Sequence, residues 1–236
     1  MRTLIAIALL LGITGCSTDH IAAPLPQDAA NLPVVFIGDS ITHNWADPQY
    51  SNWFTVFPQW INEGVIGQNS VTILARYNPD AIWLDPKIIH IIAGTNDVYP
   101  DWVPCNINNM PQFSTCANIA QMALMAKDAG IKVILGTIPP WGCAESNCEL
   151  AESADSSEGR YDRIAQLNAF IKEYGAANAI TVVDYHAALV QGDDKHYQPG
   201  LTVDGVHPNA AGYNTMAPLV ITAIEAQEES SVGQTE

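Results

Sequence analysis

Positive charge is scarce in this chain: nine lysines and arginines stand against 25 aspartates and glutamates, a formal net charge of −16. Nucleic acid is therefore excluded as a partner, because affinity for a phosphate backbone comes from cations that displace its counterions. The same field repels anionic headgroups and polyanionic polymers and favours neutral substrates, and adaptation of the surface for solubility in salty or cold surroundings is the other reading of the charge. Long apolar runs are missing too. The N-terminal run from Leu4 to Ile13 would rise only ~15 Å as a helix, about half the hydrocarbon thickness, which is too short for a membrane span. No C-x-x-C or H-E-x-x-H spacing occurs, so neither a metal site nor a cofactor is expected. The chain also lacks G-x-S-x-G, the nucleophile turn of α/β-hydrolases.

The N-terminus has Arg2, the short apolar run and then small residues, the layout of a secretory signal peptide over residues 1–15. Ile13-Thr14-Gly15-Cys16 resembles the lipobox cut by bacterial lipoprotein signal peptidase. Cleavage there would leave Cys16 as a lipidated N-terminus. Several acyl chains, at ~0.8 kcal/mol per buried methylene, would hold the protein at a membrane of the bacterial cell envelope, facing the periplasm or the surface. A plain signal peptide with an incidental cysteine is the other reading. Residues 16–31, with Pro24 and Pro26 among small polar residues, read as the lipidated cysteine and a tether. Residues 225–236 read as a disordered acidic tail. That leaves residues 32–224 as one domain, since 48% hydrophobic residues suffice for one core and no internal repeat appears.

Besides Cys16 the chain holds Cys105, Cys116, Cys143 and Cys148. In an exported protein an even number implies disulfides, here with three connectivities. The local pairs Cys105–Cys116 and Cys143–Cys148, both in or beside polar loops, are the expected ones.

Short β-branched runs at Leu32–Ile37, Lys87–Ala93, Ile131–Ile138 and Ile180–Asp184 fit buried parallel strands, with a weaker candidate near Asn62–Ile66. Between them, apolar residues from Cys116 to Met125 and from Ile164 to Tyr174 recur at helical spacing. Strands alternating with helices imply an α/β fold, an open parallel sheet of about five strands covered on both faces. Ligands bind such sheets at the carboxyl ends of the strands. Ser40, Gly67, Asn96 and the Pro139-Pro140-Trp141 loop each follow a strand and so converge on one rim.

Gly38-Asp39-Ser40-Ile41-Thr42, Asn62-Glu63-Gly64-Val65-Ile66-Gly67-Gln68, Gly94-Thr95-Asn96-Asp97 and Asp204-Gly205-Val206-His207 occur in that order. The set resembles the sequence blocks of the SGNH hydrolases, also called the GDSL esterase/lipase family, from about Val34 to about Gly212. The resemblance implies a three-layer, flavodoxin-like α/β/α fold. It also implies catalysis by Ser40, Asp204 and His207.

The residue chemistry agrees with that assignment. A serine hydroxyl needs a base within ~3 Å, and Asp204, three residues before His207, can orient the imidazole and leave its far nitrogen facing Ser40. Pro208 suits the first turn of a following helix. The Ser40 backbone N–H, the Gly67 backbone N–H and the Asn96 amide are the expected oxyanion donors. Gly64 reads as a turn residue, and Asp97 as a carboxylate bonded to its own loop. Trp45, Trp102 and Trp141 are candidate substrate contacts. His90 reads as a core histidine bonded to backbone, while His186 and His196 have no paired carboxylate at an informative spacing.

Together these features describe an exported, lipid-anchored carboxylic ester hydrolase with an acyl-serine intermediate. The expected substrates are short-acyl, acetyl-type esters of small molecules or of carbohydrates, including polysaccharides. A lysophospholipase or thioesterase is the alternative enzyme, and a non-catalytic glycan-binding surface lipoprotein the alternative class. The intact Ser40, Asp204 and His207 speak against the binder.

Overall fold

The computed structural model describes residues 33–99, 101–142 and 157–232, without the side chains of 157, 158 and 228–232. The signal peptide, Cys16, the tether and the Cys143–Cys148 pair lie outside the described residues.

Five strands form one parallel sheet: β1 Val34–Gly38, β2 Trp60–Gly64, β3 Ile88–Ile92, β4 Lys132–Gly136 and β5 Thr181–Val183, in the order β2-β1-β3-β4-β5. Every residue of β1 and β3 is buried, because a parallel strand covered on both faces gains from side chains on each. Eight α-helices are described: α1 Ser40–Trp45, α2 Trp53–Val56, α3 Ser70–Ala75, α4 Tyr77–Asp80, α5 Thr115–Asp128, α6 Ser157–Ala177, α7 Tyr185–Leu189 and α8 Ala210–Val232. Helices α3, α5 and α6 lie side by side, as do α7 and α8, and the Tyr213 hydroxyl of α8 donates to the Ile41 carbonyl of α1 (2.8 Å). The result is three layers. Strand order reverses between β1 and β3, which opens the crevice at their carboxyl ends.

The glycines that end β1 and β2 let α1 cross those strand ends. A Cβ on Gly38 would stand 2.2 Å from Thr42 Oγ1, and one on Gly64 2.1 Å from the His43 nitrogen. Gly64 is thus a close-approach residue at a strand end and not a turn residue.

Three further expectations change. The acidic tail is not disordered from residue 225: α8 continues to Val232. Ile224 is buried, Gln227 Nε2 donates to Thr181 Oγ1 (2.6 Å), and Lys132 Nζ donates to the Gln227 carbonyl. Pro208 lies before α8 and not in its first turn, since the Asn209 side chain accepts from Ala211 (2.9 Å) and Gly212 (3.1 Å) as a helix cap does. Trp45 is fully buried in an aromatic cluster with Phe36, His90, Tyr185 and Tyr213. It is a core residue and not a substrate contact, because its place late in the short α1 turns it inward under the strand ends. His90 in that cluster bonds the Tyr185 hydroxyl (2.9 Å) and not backbone, and burial pushes its pKa down to about 3.

Candidate active site

Asp39 and Ser40 sit where β1 turns into α1. The Asp39 carboxylate caps the helix by accepting from the Ile41 N–H (2.9 Å), and its burial pushes its pKa up to about 6. Ser40 opens the first turn, where backbone N–H groups have no intrahelical acceptor. The residue is nearly covered, at 7% exposure, yet its hydroxyl reaches the imidazole of His207.

The loop before α8 supplies that imidazole. Asp204 Oδ1 accepts from the backbone N–H of Val206 (2.9 Å) and His207 (2.8 Å), which folds the segment into a tight turn. Asp204 Oδ2 accepts from His207 Nδ1 (2.7 Å), and His207 Nε2 lies 2.9 Å from Ser40 Oγ. A carboxylate can only accept, so Nδ1 carries the proton and Nε2 is free to accept from the serine. Those bonds hold the Asp204 carboxyl low, at about 2, against its burial. The same carboxylate raises His207 above the usual imidazole value.

Gly67 and Asn96 stand in the loops after β2 and β3, the two strands that flank β1 in the sheet. Gly67 has a φ of +76°, a conformation that glycine adopts without a steric penalty. Asn96 Nδ2 donates one hydrogen to the Gln68 carbonyl (3.0 Å). This orients the amide and leaves its second hydrogen for a ligand. Among the described residues no group of three histidine, cysteine, aspartate or glutamate side chains could hold a metal ion, and no helix is long and apolar enough to cross a membrane.

The family model for the GDSL-like lipase/acylhydrolase family matches residues 36–215. This chain belongs to that family. It is 34% identical to a GDSL-like lipase of Bacteroides thetaiotaomicron, covering 87% of this chain and 93% of that one with a TM-score of 0.66. A Bacteroides fragilis protein assigned as an acylhydrolase is 35% identical, covering 85% and 93%, with a TM-score of 0.65. An acetylxylan esterase of Geobacillus stearothermophilus shares the fold at 23% identity, covering 82% and 94%, with a TM-score of 0.59. No curated protein matches in sequence. The family makes this GDSL acylhydrolase a serine esterase.

Two further side chains hold the site of the hydrolase together, and Arg76 among them belongs to no motif. Arg76 Nη2 donates to the Gly38 (3.0 Å) and Glu63 (2.8 Å) carbonyls, its Nε to Gln68 Oε1 (2.6 Å), and its Nη1 to Asp80 (3.1 Å). One guanidinium thus ties the strand ends carrying Ser40 to the Gly67 loop, a fixed fork that lysine cannot copy. Asp97 does not serve its own loop. Its carboxylate accepts from the Ser70 N–H (2.9 Å), the Ser70 hydroxyl and Thr115 Oγ1 (3.1 Å), joining the starts of α3 and α5. Burial raises its pKa.

The remaining candidates divide. Trp102 is mostly covered, its indole N–H donating to Thr115 Oγ1 (3.1 Å), while its ring lines a cleft beside Asn96. Trp141 is half-buried, with the Arg160 guanidinium 3.9 Å from its ring centre and 4.5 Å from that of Tyr99. His196 does have a carboxylate partner: Asp193, three residues earlier, bonds its Nδ1, and its Nε2 lies 2.8 Å from the Tyr161 hydroxyl. The turn copies Asp204–His207, but a phenol stands where the serine would be. The Asp-x-x-His spacing was the signal available. Cys105 and Cys116 form a disulfide between the loop after β3 and the start of α5.

Proposed function

We propose that the protein is an exported, lipid-anchored hydrolase of short-acyl esters of neutral alcohols, carbohydrates among them. The observation that carries the catalytic reading is the hydrogen-bonded chain Asp204–His207–Ser40 at one strand-end rim. In this scheme Ser40 Oγ attacks the ester carbonyl carbon while His207 Nε2 takes its proton. The negative charge passes to the carbonyl oxygen, which the N–H groups of Ser40 and Gly67 and the Asn96 amide receive. As the tetrahedral intermediate collapses, the bond to the alcohol breaks and His207 returns the proton to the leaving oxygen. Water then attacks the acyl-serine with His207 as base, releasing the acid and restoring Ser40.

The net charge of −16 supports neutral substrates. What supports the anchor is the lipobox-like Ile13-Thr14-Gly15-Cys16 and the way the chain enters the domain. Pro33 leads into the amino end of β1, pairing with Lys87 (3.0 Å), whereas Ser40 follows the carboxyl end. Pro33 and Ser40 thus lie at opposite ends of β1.

Hydrolysis of nitrophenyl esters from acetyl to palmitoyl, beside an acetylated polysaccharide, tests the reading. The expected result is fastest turnover of acetyl esters and a loss of about 10⁴-fold or more in kcat for folded Ser40→Ala. Preference for palmitoyl esters, or wild-type turnover by Ser40→Ala, contradicts it.

A further inference from the structure

Beside the oxyanion corner lies an open cleft of about 540 Å³, within the roughly 300–1,000 Å³ of ligand sites. It shares Asn96 with the catalytic machinery. Its walls come from the start of α3 (Asn69), the loop after β3 (Tyr99, Asp101, Trp102) and the loop entering α5 (Phe113). The cleft is therefore placed to hold the part of a substrate that extends away from the ester carbonyl.

Its chemistry is specific. Uncharged amides, hydroxyls and one uncommitted carboxylate alternate with aromatic faces, and no lysine or arginine lines it. An anionic ligand would meet Asp101, while the nearby Arg160 guanidinium is already stacked on the Tyr99 and Trp141 rings and is not among the lining residues; a long acyl chain would strip water from polar groups without replacing their hydrogen bonds. A ring with apolar faces and a hydroxylated edge satisfies both halves of the lining. Aromatic side chains supply such faces while polar neighbours fix orientation.

Phe113 makes the case stronger. It is 74% exposed and its φ is +66°, a left-handed conformation that costs a bulky residue and would cost glycine nothing. An exposed phenyl ring in that conformation contributes little to folding, and Tyr99, 45% exposed, faces the same cleft. The walls are also preformed. The Cys105–Cys116 disulfide closes the loop between Trp102 and α5, and the Trp102–Thr115–Asp97–Ser70 hydrogen bonds join that loop to α3.

We propose that this cleft is the alcohol subsite and takes the ring of a neutral pyranoside. Phe113 and Tyr99 stack on its faces, and Asp101 and Asn69 accept from or donate to its hydroxyls. The inference rests on the esterase reading for its orientation, and its test separates the two. In one arm, folded Ser40→Ala is titrated with a mono-acetylated methyl pyranoside by NMR, a measurement that needs no turnover. Adding Phe113→Gly or Asp101→Asn should weaken Kd by about tenfold, the scale of one aromatic or hydrogen-bonding contact. Phe113→Gly should at the same time raise the thermal midpoint, because it relieves the backbone. In the other arm the Ser40 enzyme is assayed on that glycosyl acetate and on ethyl acetate. The ratio of the two kcat/KM values should fall about tenfold in each variant. Both variants keeping Kd and the ratio within about twofold of the parent would overturn the subsite. Binding that weakens as expected without hydrolysis of either ester would sustain the subsite and defeat the esterase reading.

Discussion

Replacing Asp204 with asparagine isolates what the carboxylate does from what its shape does. The substituted side chain keeps an oxygen for the two backbone N–H groups that Asp204 Oδ1 now accepts, at 2.9 and 2.8 Å, so the turn should persist. The other position, 2.7 Å from His207 Nδ1, becomes an N–H₂ donor. Two donors cannot face each other, so the imidazole moves its proton to Nε2, the atom that must accept from Ser40. The same tautomer fault in another serine hydrolase costs about 10⁴ in kcat, equivalent to about 5.5 kcal/mol of transition-state stabilisation. A loss of about 10³–10⁴ is expected here.

Two pH effects accompany it. In the wild type His207 is raised by Asp204 and must be neutral to act as base. Activity should therefore rise with pH through a value above the usual imidazole range, and the residual activity of Asp204→Asn should rise at lower pH. For stability, the Asp204 pKa falls from 3.8 to about 2 on folding. The carboxylate thus stabilises the fold above pH 3.8, and that contribution disappears as pH falls through about 2. After allowance for solvent screening it amounts to about 1–2 kcal/mol. The assay is kcat/KM for nitrophenyl acetate against pH, with circular dichroism melts on the same samples. Folded Asp204→Asn within about tenfold of wild type would refute the tautomer reasoning.

Asn96→Ala should lower kcat by about 10²–10³ with KM nearly unchanged, because its second amide hydrogen meets the oxyanion more strongly than the bound ester; a change confined to KM would make Asn96 a substrate-positioning group. Replacing Cys105 and Cys116 with alanine opens a loop of sequence separation 11. That should cost about 3 kcal/mol, a drop of roughly 6–12 °C in Tm; an unchanged Tm would show that the bridge does not constrain the unfolded chain. For Cys16→Ser the expected outcome is loss of acyl mass and of detergent partitioning with turnover intact; a wild-type product released without acyl groups would rule out the anchor.

The strands were legible because burial on both faces leaves uninterrupted apolar runs such as Val34–Ile37, and the site because its blocks follow those runs. What escaped depends on distance in the chain. Arg76 looks like any surface arginine until four partners from separate segments converge on it. Asp97 reads as a loop carboxylate because Ser70 and Thr115 lie 27 and 18 residues away. The polar sequence of the last turns of α8 resembles a tail, yet the bonds of Gln227 to Thr181 and Lys132 make it part of the domain. Asp193 and His196 had a legible spacing, but with a tyrosine in the third place no motif called attention to them.

The central claim is a covalent bond at Ser40. Wild-type protein quenched in acid during turnover of nitrophenyl acetate should carry one acetyl group, found by peptide mass spectrometry on the segment containing Ser40, and Ser40→Ala should carry none and release no nitrophenol above background. Steady turnover with Ser40 never acylated, or the same acetylation and turnover in Ser40→Ala, would contradict the account.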